Sequence, residues 1–262
     1  TDIEGNIRPN PAGSNPDMGA YENSNGVPAV TAIVSATLSL DNSTVSVAFN
    51  DFVFNTENGT GSLEVTDFSL SINGGTAALS SSTPISISSD ENTYVLGLGL
   101  SGDANGSEIL TVEVVENSIY NSFGQIVNPP QNNNSVTLND ITAPTMTIAA
   151  LDESDNIIPG GSITNDESLY LSFTISEPTS DFTSDDVLVS GGSISSFFGS
   201  GSIYTAILTP SSDGPVIVDI ADGTFTDATG NGNSDFGPFN WTYDGTLPTI
   251  INVSLASNNS SI

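Results

Sequence analysis

The stretch "LYLSFTIS" (residues 169–176) decides the fold class of this chain, because its side chains alternate along its whole length. Every second residue from Leu169 to Ile175 is large and apolar, and the residues between them all carry hydroxyl groups. A period of two places the apolar side chains on one face, as a half-buried β-strand requires. Helical periodicity is almost absent from the chain. We therefore predict a strand at this position.

Further stretches alternate in the same way, and clusters of Gly, Asn, Asp and Ser separate them. Such clusters are typical of turns. Strands of about seven residues with a turn every 8–12 residues or so are typical of an antiparallel β-sandwich. We therefore predict an all-β fold of antiparallel β-sandwiches, each with about seven strands. The additional predicted strands are residues 44–50, 67–73, 93–100, 109–116, 202–209 and 216–222.

Aromatic residues are few, at 7% of the chain. The single tryptophan, Trp241, lies in "FGPFNWTYDG" (residues 236–245), which has the pattern of a final strand. Packing in or beside the core explains Trp241 better than stacking on a ligand. Phe197 and Phe198 are the best candidates for an exposed aromatic pair, although adjacent residues of a strand point to opposite faces, so one of them should enter the core.

Two stretches of the sequence share one pattern: "LNDITAPTMTI" (residues 138–148) and "TYDGTLPTIINV" (residues 242–253). We interpret each as a junction between modules. Each has an Asp, a Thr-x-Pro and a β-branched run, and the features between the junctions recur in the same order. Proline stiffens a linker and cannot donate to a β-ladder. We therefore predict tandem modules. The predicted domains are the end of a preceding domain or a linker (1–25), sandwich one (26–140), sandwich two (141–245) and the start of a third module (246–262).

Composition excludes several classes of function. The 262 residues include 31 acidic residues, no Cys, no His and one basic residue, Arg8, so the net charge is −30. This charge repels nucleic acid and anionic membrane surfaces. Disulfides, thiolate or histidine catalysis and the usual zinc sites are excluded as well. No apolar run of about 18 residues exists, so we predict no membrane insertion.

Two segments carry a resemblance to a known family. The segment around "FTISEPTSDFTSDDVLVSGGS" (residues 173–193) resembles the bacterial Ig-like repeats of very large secreted surface proteins and adhesins. The segment with "ANGSEILTVEVVENSIYNSFGQ" (residues 104–125) resembles a sister type of this repeat. The resemblance implies tandem Ig-like β-sandwiches in an extracellular, cell-surface protein, of the kind common in gliding and marine Bacteroidota that use type IX secretion.

The first 23 residues or so differ from everything after them. They resemble the last coil of a secreted right-handed parallel β-helix domain, and the alternative is a disordered linker. We expect Arg8 to form a structural pair rather than to act in catalysis. The residues that carry this second resemblance are Asp2 or Glu4, Gly5, Arg8, Asp17, Gly19, Ala20, Tyr21 and Glu22.

The antiparallel path of the chain should gather oxygen ligands at one end of the second module. Carboxylates without a nearby base repel one another, whereas Ca²⁺ takes six to eight oxygen ligands or so and would reverse the sign of the interaction. We therefore predict a Ca²⁺ clamp at the module junction. Its ligands would be Asp140, Glu177, Asp186, Asp227 and Asn231.

The first module offers a weaker version of the same site, made of Asp51, Asp67 and Asn121. It is weaker because Asn121 stands where the second module has Asp227. Bacterial Ig-like and cadherin-like arrays that stiffen their linkers with Ca²⁺ support both sites in part, as an implication of the resemblance. The alternative is that these residues only shape turns, since Asp and Asn favour turns for backbone reasons alone.

Two functions remain, and neither is enzymatic. The first is a structural stalk or adhesin segment of a large extracellular surface protein, stiffened by Ca²⁺ at its junctions. Other parts of that protein would meet surface or glycan ligands, and neighbouring chains of a surface assembly are candidate partners. The second is a pair of carbohydrate-binding accessory modules of a secreted polysaccharide-active enzyme. A row of exposed aromatic residues would favour the second, and the low aromatic content, 7%, favours the first.

Overall fold

The computed structural model describes residues 30–253, and the N-terminal stretch compared above with a β-helix lies outside them. The chain divides into two compact units, Thr1–Ile141 and Thr142–Ile262. Strands dominate both units, and the only helical elements in the described part are two short 3₁₀ turns, Val65–Asp67 and Ser184–Asp186. The prediction of an all-β sandwich fold is confirmed.

The first unit packs two main sheets face to face. A four-stranded sheet has the order β1-β2-β7-β6, and a three-stranded sheet has the order β11-β9-β4. Two further two-stranded sheets are β10-β3 and β5-β8. The strands are β1 (Ile33–Leu38), β2 (Thr44–Phe49), β3 (Val53–Phe54), β4 (Phe68–Asn73), β5 (Ala78–Leu79), β6 (Ser86–Asp90), β7 (Thr93–Gly97), β8 (Leu100–Ser101), β9 (Ile109–Val114), β10 (Tyr120–Asn121) and β11 (Ser135–Thr137).

The second unit also has two sheets, with the orders β12-β14-β16 and β13-β18-β17-β15. The pairing of β13 with β18 is parallel, unlike the antiparallel pairing predicted. It arises because the chain leaves β12 at the edge of one sheet and crosses to the other, where it lies beside β18. The strands are β12 (Met146–Leu151), β13 (Ile163–Thr164), β14 (Leu169–Thr179), β15 (Leu188–Ser190), β16 (Gly192–Pro210), β17 (Gly214–Asp219) and β18 (Phe239–Tyr243).

Strand β16 folds back on itself, so its two ends lie side by side. The Ser211 N–H donates to the Gly191 carbonyl at 2.9 Å, and the Thr205 hydroxyl donates to the Phe198 carbonyl at 3.3 Å. The bend uses Gly201, whose φ of +64° is accessible to glycine at little cost. This fold-back places Phe197 in contact with the core aromatics while Phe198 remains 80% exposed, as the alternation of adjacent residues predicts.

Each unit has its own hydrophobic core, and the two cores share no residue. In the first, Phe49, Phe68 and Tyr94 pack with ring centroids 5.9 to 6.4 Å apart. In the second, Trp241 is 1% exposed and its indole N–H donates to the Thr164 hydroxyl at 3.0 Å. The prediction that Trp241 packs in the core is therefore confirmed.

Candidate functional site

Three of the predicted Ca²⁺ ligands meet at one place. Asp140, Glu177 and Asp227 each offer a carboxylate oxygen, and these oxygens lie within 4.8 Å of one another. Asp227 is buried, and the other two are partly exposed. Three carboxylates at this separation repel one another, by about 1 kcal/mol per pair at 4 Å even in bulk water. A hard cation with oxygen ligands is the species that such a group can hold.

Asp227 is fixed by the turn that follows it. Its Oδ1 accepts the backbone N–H groups of Thr229, Gly230 and Asn231 at 2.8, 2.7 and 2.9 Å. Burial raises the pKa of Asp227, but hydrogen bonds from Asn231 and Thr229 outweigh it and hold the pKa below its ordinary value. The carboxylate is therefore ionised at neutral pH. Because Oδ1 also accepts the Thr229 hydroxyl at 2.9 Å and so has four donors, Oδ2 is the oxygen better suited to a cation.

Asn231 orients this carboxylate through its amide nitrogen. Its Nδ2 donates to Asp227 Oδ2 and to the Thr229 hydroxyl, both at 2.9 Å. Asp181, which the sequence reasoning missed, supports the turn from the other side. Its carboxylate accepts the Thr226 N–H at 3.0 and 3.2 Å and the Thr179 hydroxyl at 2.6 Å. The pattern Thr-x-Asp at residues 179–181 was the available signal, since hydroxyl and carboxylate side chains two residues apart often bond locally.

Asp186 is not part of the group of three acids. Its Oδ2 accepts the Thr183 N–H at 2.7 Å and the Thr183 hydroxyl at 3.0 Å, which closes the 3₁₀ turn before β15. This is a capping box, in which a side chain satisfies a backbone donor at the start of a turn. The structure therefore gives Asp186 a local structural role and does not bring it into the acid group, where the sequence predicted it.

The residues of the weaker predicted site in the first unit accept hydrogen bonds from nearby backbone N–H groups. Asn121 Oδ1 accepts the N–H groups of Phe123 and Gln125, both at 3.0 Å, in the way that Asp227 does in the second unit. Asp67 caps its 3₁₀ turn as Asp186 does, and burial raises its pKa. Asp51 accepts the next backbone N–H at 2.8 Å. Within residues 30–139, no three acids come together as they do around Asp227.

These paired roles show that the repeat extends to single hydrogen bonds. Asn121 and Asp227 organise the same turn, and Asp67 and Asp186 close the same 3₁₀ turn. The amide oxygen of Asn121 accepts two backbone N–H groups of its turn, and the carboxylate of Asp227 accepts three. A neutral acceptor therefore serves at this position in the first unit.

Comparisons with known proteins agree with this architecture. Residues 140–242 match the family model of the bacterial Ig-like domain, which includes all three acids of the group. No curated protein matches the chain. Among residues 30–253, no helix is both long and apolar enough to cross a membrane. Bacterial Ig-like domains typically occur in surface or extracellular proteins and form a non-catalytic fold class, so the matched segment is similar to a structural or adhesion-type module.

Proposed function

We propose that this chain is a non-enzymatic structural segment, a stalk or adhesin array, of a large extracellular surface protein. The observation that carries the proposal is the repetition of one sandwich with the same turn chemistry in two successive units, the second of which matches the bacterial Ig-like family. Repeated small modules extend a protein without requiring a new fold for each step. A third module from residue 246 and export by a type IX system are parts of this proposal.

The proposal includes Ca²⁺ bound by Asp140, Glu177 and Asp227. Ca²⁺ tolerates irregular oxygen sites with six to eight ligands or so, whereas Mg²⁺ demands near-octahedral geometry. Backbone carbonyls and water would complete the coordination. Bound Ca²⁺ would remove the repulsion among the three carboxylates and tie the segment that contains Asp140 to β14 and to the turn after Asp227.

Thermal unfolding of the full chain tests the Ca²⁺ site. We expect 2 mM Ca²⁺ to raise the melting temperature of the second unit by several degrees relative to excess chelator, both at the same high ionic strength. A ligand at a thousand times its Kd adds about 4 kcal/mol of stability. Mg²⁺ at the same concentration should produce a much smaller shift.

Variants separate the metal role of Asp227 from its turn role. Asp227→Asn retains the acceptor that Asn121 uses in the first unit, so it should leave the stability in chelator within about 1 kcal/mol of the wild type while abolishing the Ca²⁺ shift. Glu177→Gln should abolish the shift too, and Asp186→Asn should retain it. A Ca²⁺ shift that persists in both Asp227→Asn and Glu177→Gln would place the cation elsewhere.

Single-molecule pulling tests the structural function. With the full chain held at its ends, the second unit should unfold at a higher force in Ca²⁺ than in chelator, because the cation adds contacts that must break first. Asp227→Asn provides the control, and the force at which it unfolds should be the same in Ca²⁺ and in chelator. Equal forces in both conditions would contradict a Ca²⁺-stiffened stalk.

A further inference from the structure

The outer face of the sheet β12-β14-β16 carries a groove that the stalk function does not use. Tyr170 lies at its centre, paired with Leu151 on β12 and with Ile207 on β16. The groove has a volume of about 340 Å³, within the range of small-molecule sites. Its outward-facing lining residues are Leu151, Tyr170, Ser172, Ser196, Thr205 and Ile207.

Core packing does not explain the ring of Tyr170. Its neighbours Leu169 and Leu171 point inward and are 0% and 1% exposed, whereas Tyr170 points outward and is 45% exposed. On the same strand, Ser172 and Thr174 follow it outward, opposite Thr205 and Ile203 of β16. The outward face next to Tyr170 therefore carries mainly hydroxyl and methyl groups.

The residues that line the groove carry no charge. The protein carries 31 acidic residues and a net charge of −30, yet all the residues that line the groove are uncharged. A sheet face that only contacted water in such a chain would be free to carry some of these carboxylates. An uncharged lining avoids the cost of desolvating a charge when a neutral ligand covers it.

We propose that this groove binds a neutral polysaccharide. The Tyr170 ring, with Leu151 and Ile207 beside it, suits the C–H face of a pyranose, because an aromatic ring offers a large apolar surface with a polar tip. Hydroxyl groups both donate and accept, and so do those of a sugar. The Thr205 hydroxyl already donates to the Phe198 carbonyl, so it would accept from the sugar, whereas Ser172 and Ser196 lie on either side of it in the lining.

The overall charge disfavours two other occupants of the groove. The net charge of −30 would repel both an anionic polysaccharide and a second copy of this chain. A neutral glycan meets none and needs no counter-ion. The proposal is independent of the Ca²⁺ site, since none of the three acids lines the groove.

Retention of the full chain on polysaccharides tests the proposal. The probes are microcrystalline cellulose, chitin, agarose and immobilised laminarin, with immobilised alginate as an anionic control, all in chelator. We expect retention on at least one neutral probe and none on alginate. Tyr170→Ala should weaken that binding about tenfold, the scale of one lost aromatic contact, and Tyr170→Phe should retain most of it.

Leu188→Ala is the matched control, because Leu188 is 56% exposed on a strand of the other sheet. It should bind as the wild type does, and so should Glu177→Gln, which removes a proposed Ca²⁺ ligand. No retention of the wild type on any neutral probe would overturn the proposal, as would Tyr170→Ala that binds normally. Self-association in sedimentation velocity that Tyr170→Ala abolishes would also overturn it, because the groove would then be a contact between copies.

Discussion

Trp241→Ala is expected to destabilise the second unit by about 3–5 kcal/mol, the range for truncating a large buried aromatic residue. Trp241 is 1% exposed, lies opposite Val216 on β17 and contacts the Tyr243 ring at 5.9 Å between centroids. Its indole N–H also bonds the Thr164 hydroxyl and so links β18 to β13. The substitution therefore opens a cavity and removes a hydrogen bond at once. For a domain of about 100 residues the melting temperature should fall by more than about 10 °C.

Calorimetry of the full chain is the measurement, because the two cores share no residue. We expect two transitions, of which only that of the second unit moves in Trp241→Ala. Phe49→Ala is the reciprocal control, since Phe49 is fully buried in the first core, and it should move the other transition. Trp241→Phe should lose less free energy of unfolding than Trp241→Ala, because phenylalanine retains a large buried aromatic ring. A loss below 1 kcal/mol or so would contradict the close packing of Trp241, and equal shifts of both transitions would contradict the separate cores.

Sequence alone predicted the strands well, because the signal for a half-buried strand is local. The alternation in residues 169–176 reappears as β14, where Leu169, Leu171, Phe173 and Ile175 are all buried. The parallel pairing of β13 could not be predicted in the same way. Ile163–Thr164 is too short to show a period, and its partner β18 is distant in sequence. The fold-back of β16 was also missed, because only its second half alternates clearly.

The candidate site was predictable only where chain direction determines position. Successive strands of a sandwich reverse direction, so the ends of β14 and of the last turn were expected together, and Glu177 and Asp227 do lie together with Asp140. The role of Asp186 depends instead on a backbone N–H three residues earlier. Such a hydrogen bond is hard to predict from sequence, because Asp is common in the turns of this chain.

A second large loss is expected from Glu108→Ala, this time in the first unit. Glu108 is fully buried, and Oε1 accepts the N–H groups of Thr76 and Ala77 at 2.7 and 3.0 Å. The Asn105 N–H lies 3.3 and 3.1 Å from the two carboxylate oxygens. Gly75 allows this approach, since a Cβ there would lie 2.0 Å from the carboxyl group. One side chain thus satisfies backbone donors from two loops.

Truncation would leave these donors without their buried acceptor, and each unsatisfied group costs about 1–3 kcal/mol. Water can reach part of the opened space, so we expect a net loss of about 3 kcal/mol in Glu108→Ala. Glu108→Gln should lose less free energy of unfolding than Glu108→Ala, because its amide oxygen still accepts hydrogen bonds. Its –NH₂ group is a donor and cannot replace the second carboxylate oxygen as an acceptor. Glu116→Gln, at an exposed position, is the matched control and should be close to neutral.

The effect of Glu108 should also depend on pH. Burial raises its pKa, but hydrogen bonds from the Ala77, Thr76 and Asn105 backbone outweigh burial and hold the pKa below its ordinary value. Its contribution to stability is therefore complete above the unfolded-state pKa, about 4.3, and is lost as the pH falls through the folded-state pKa. The stability difference between wild type and Glu108→Gln, measured by denaturant unfolding of the first unit, should shrink as the pH falls from about 4.3 through the lower pKa of the folded state. A difference that stays constant over this range would show that the charge of Glu108 does not stabilise the fold.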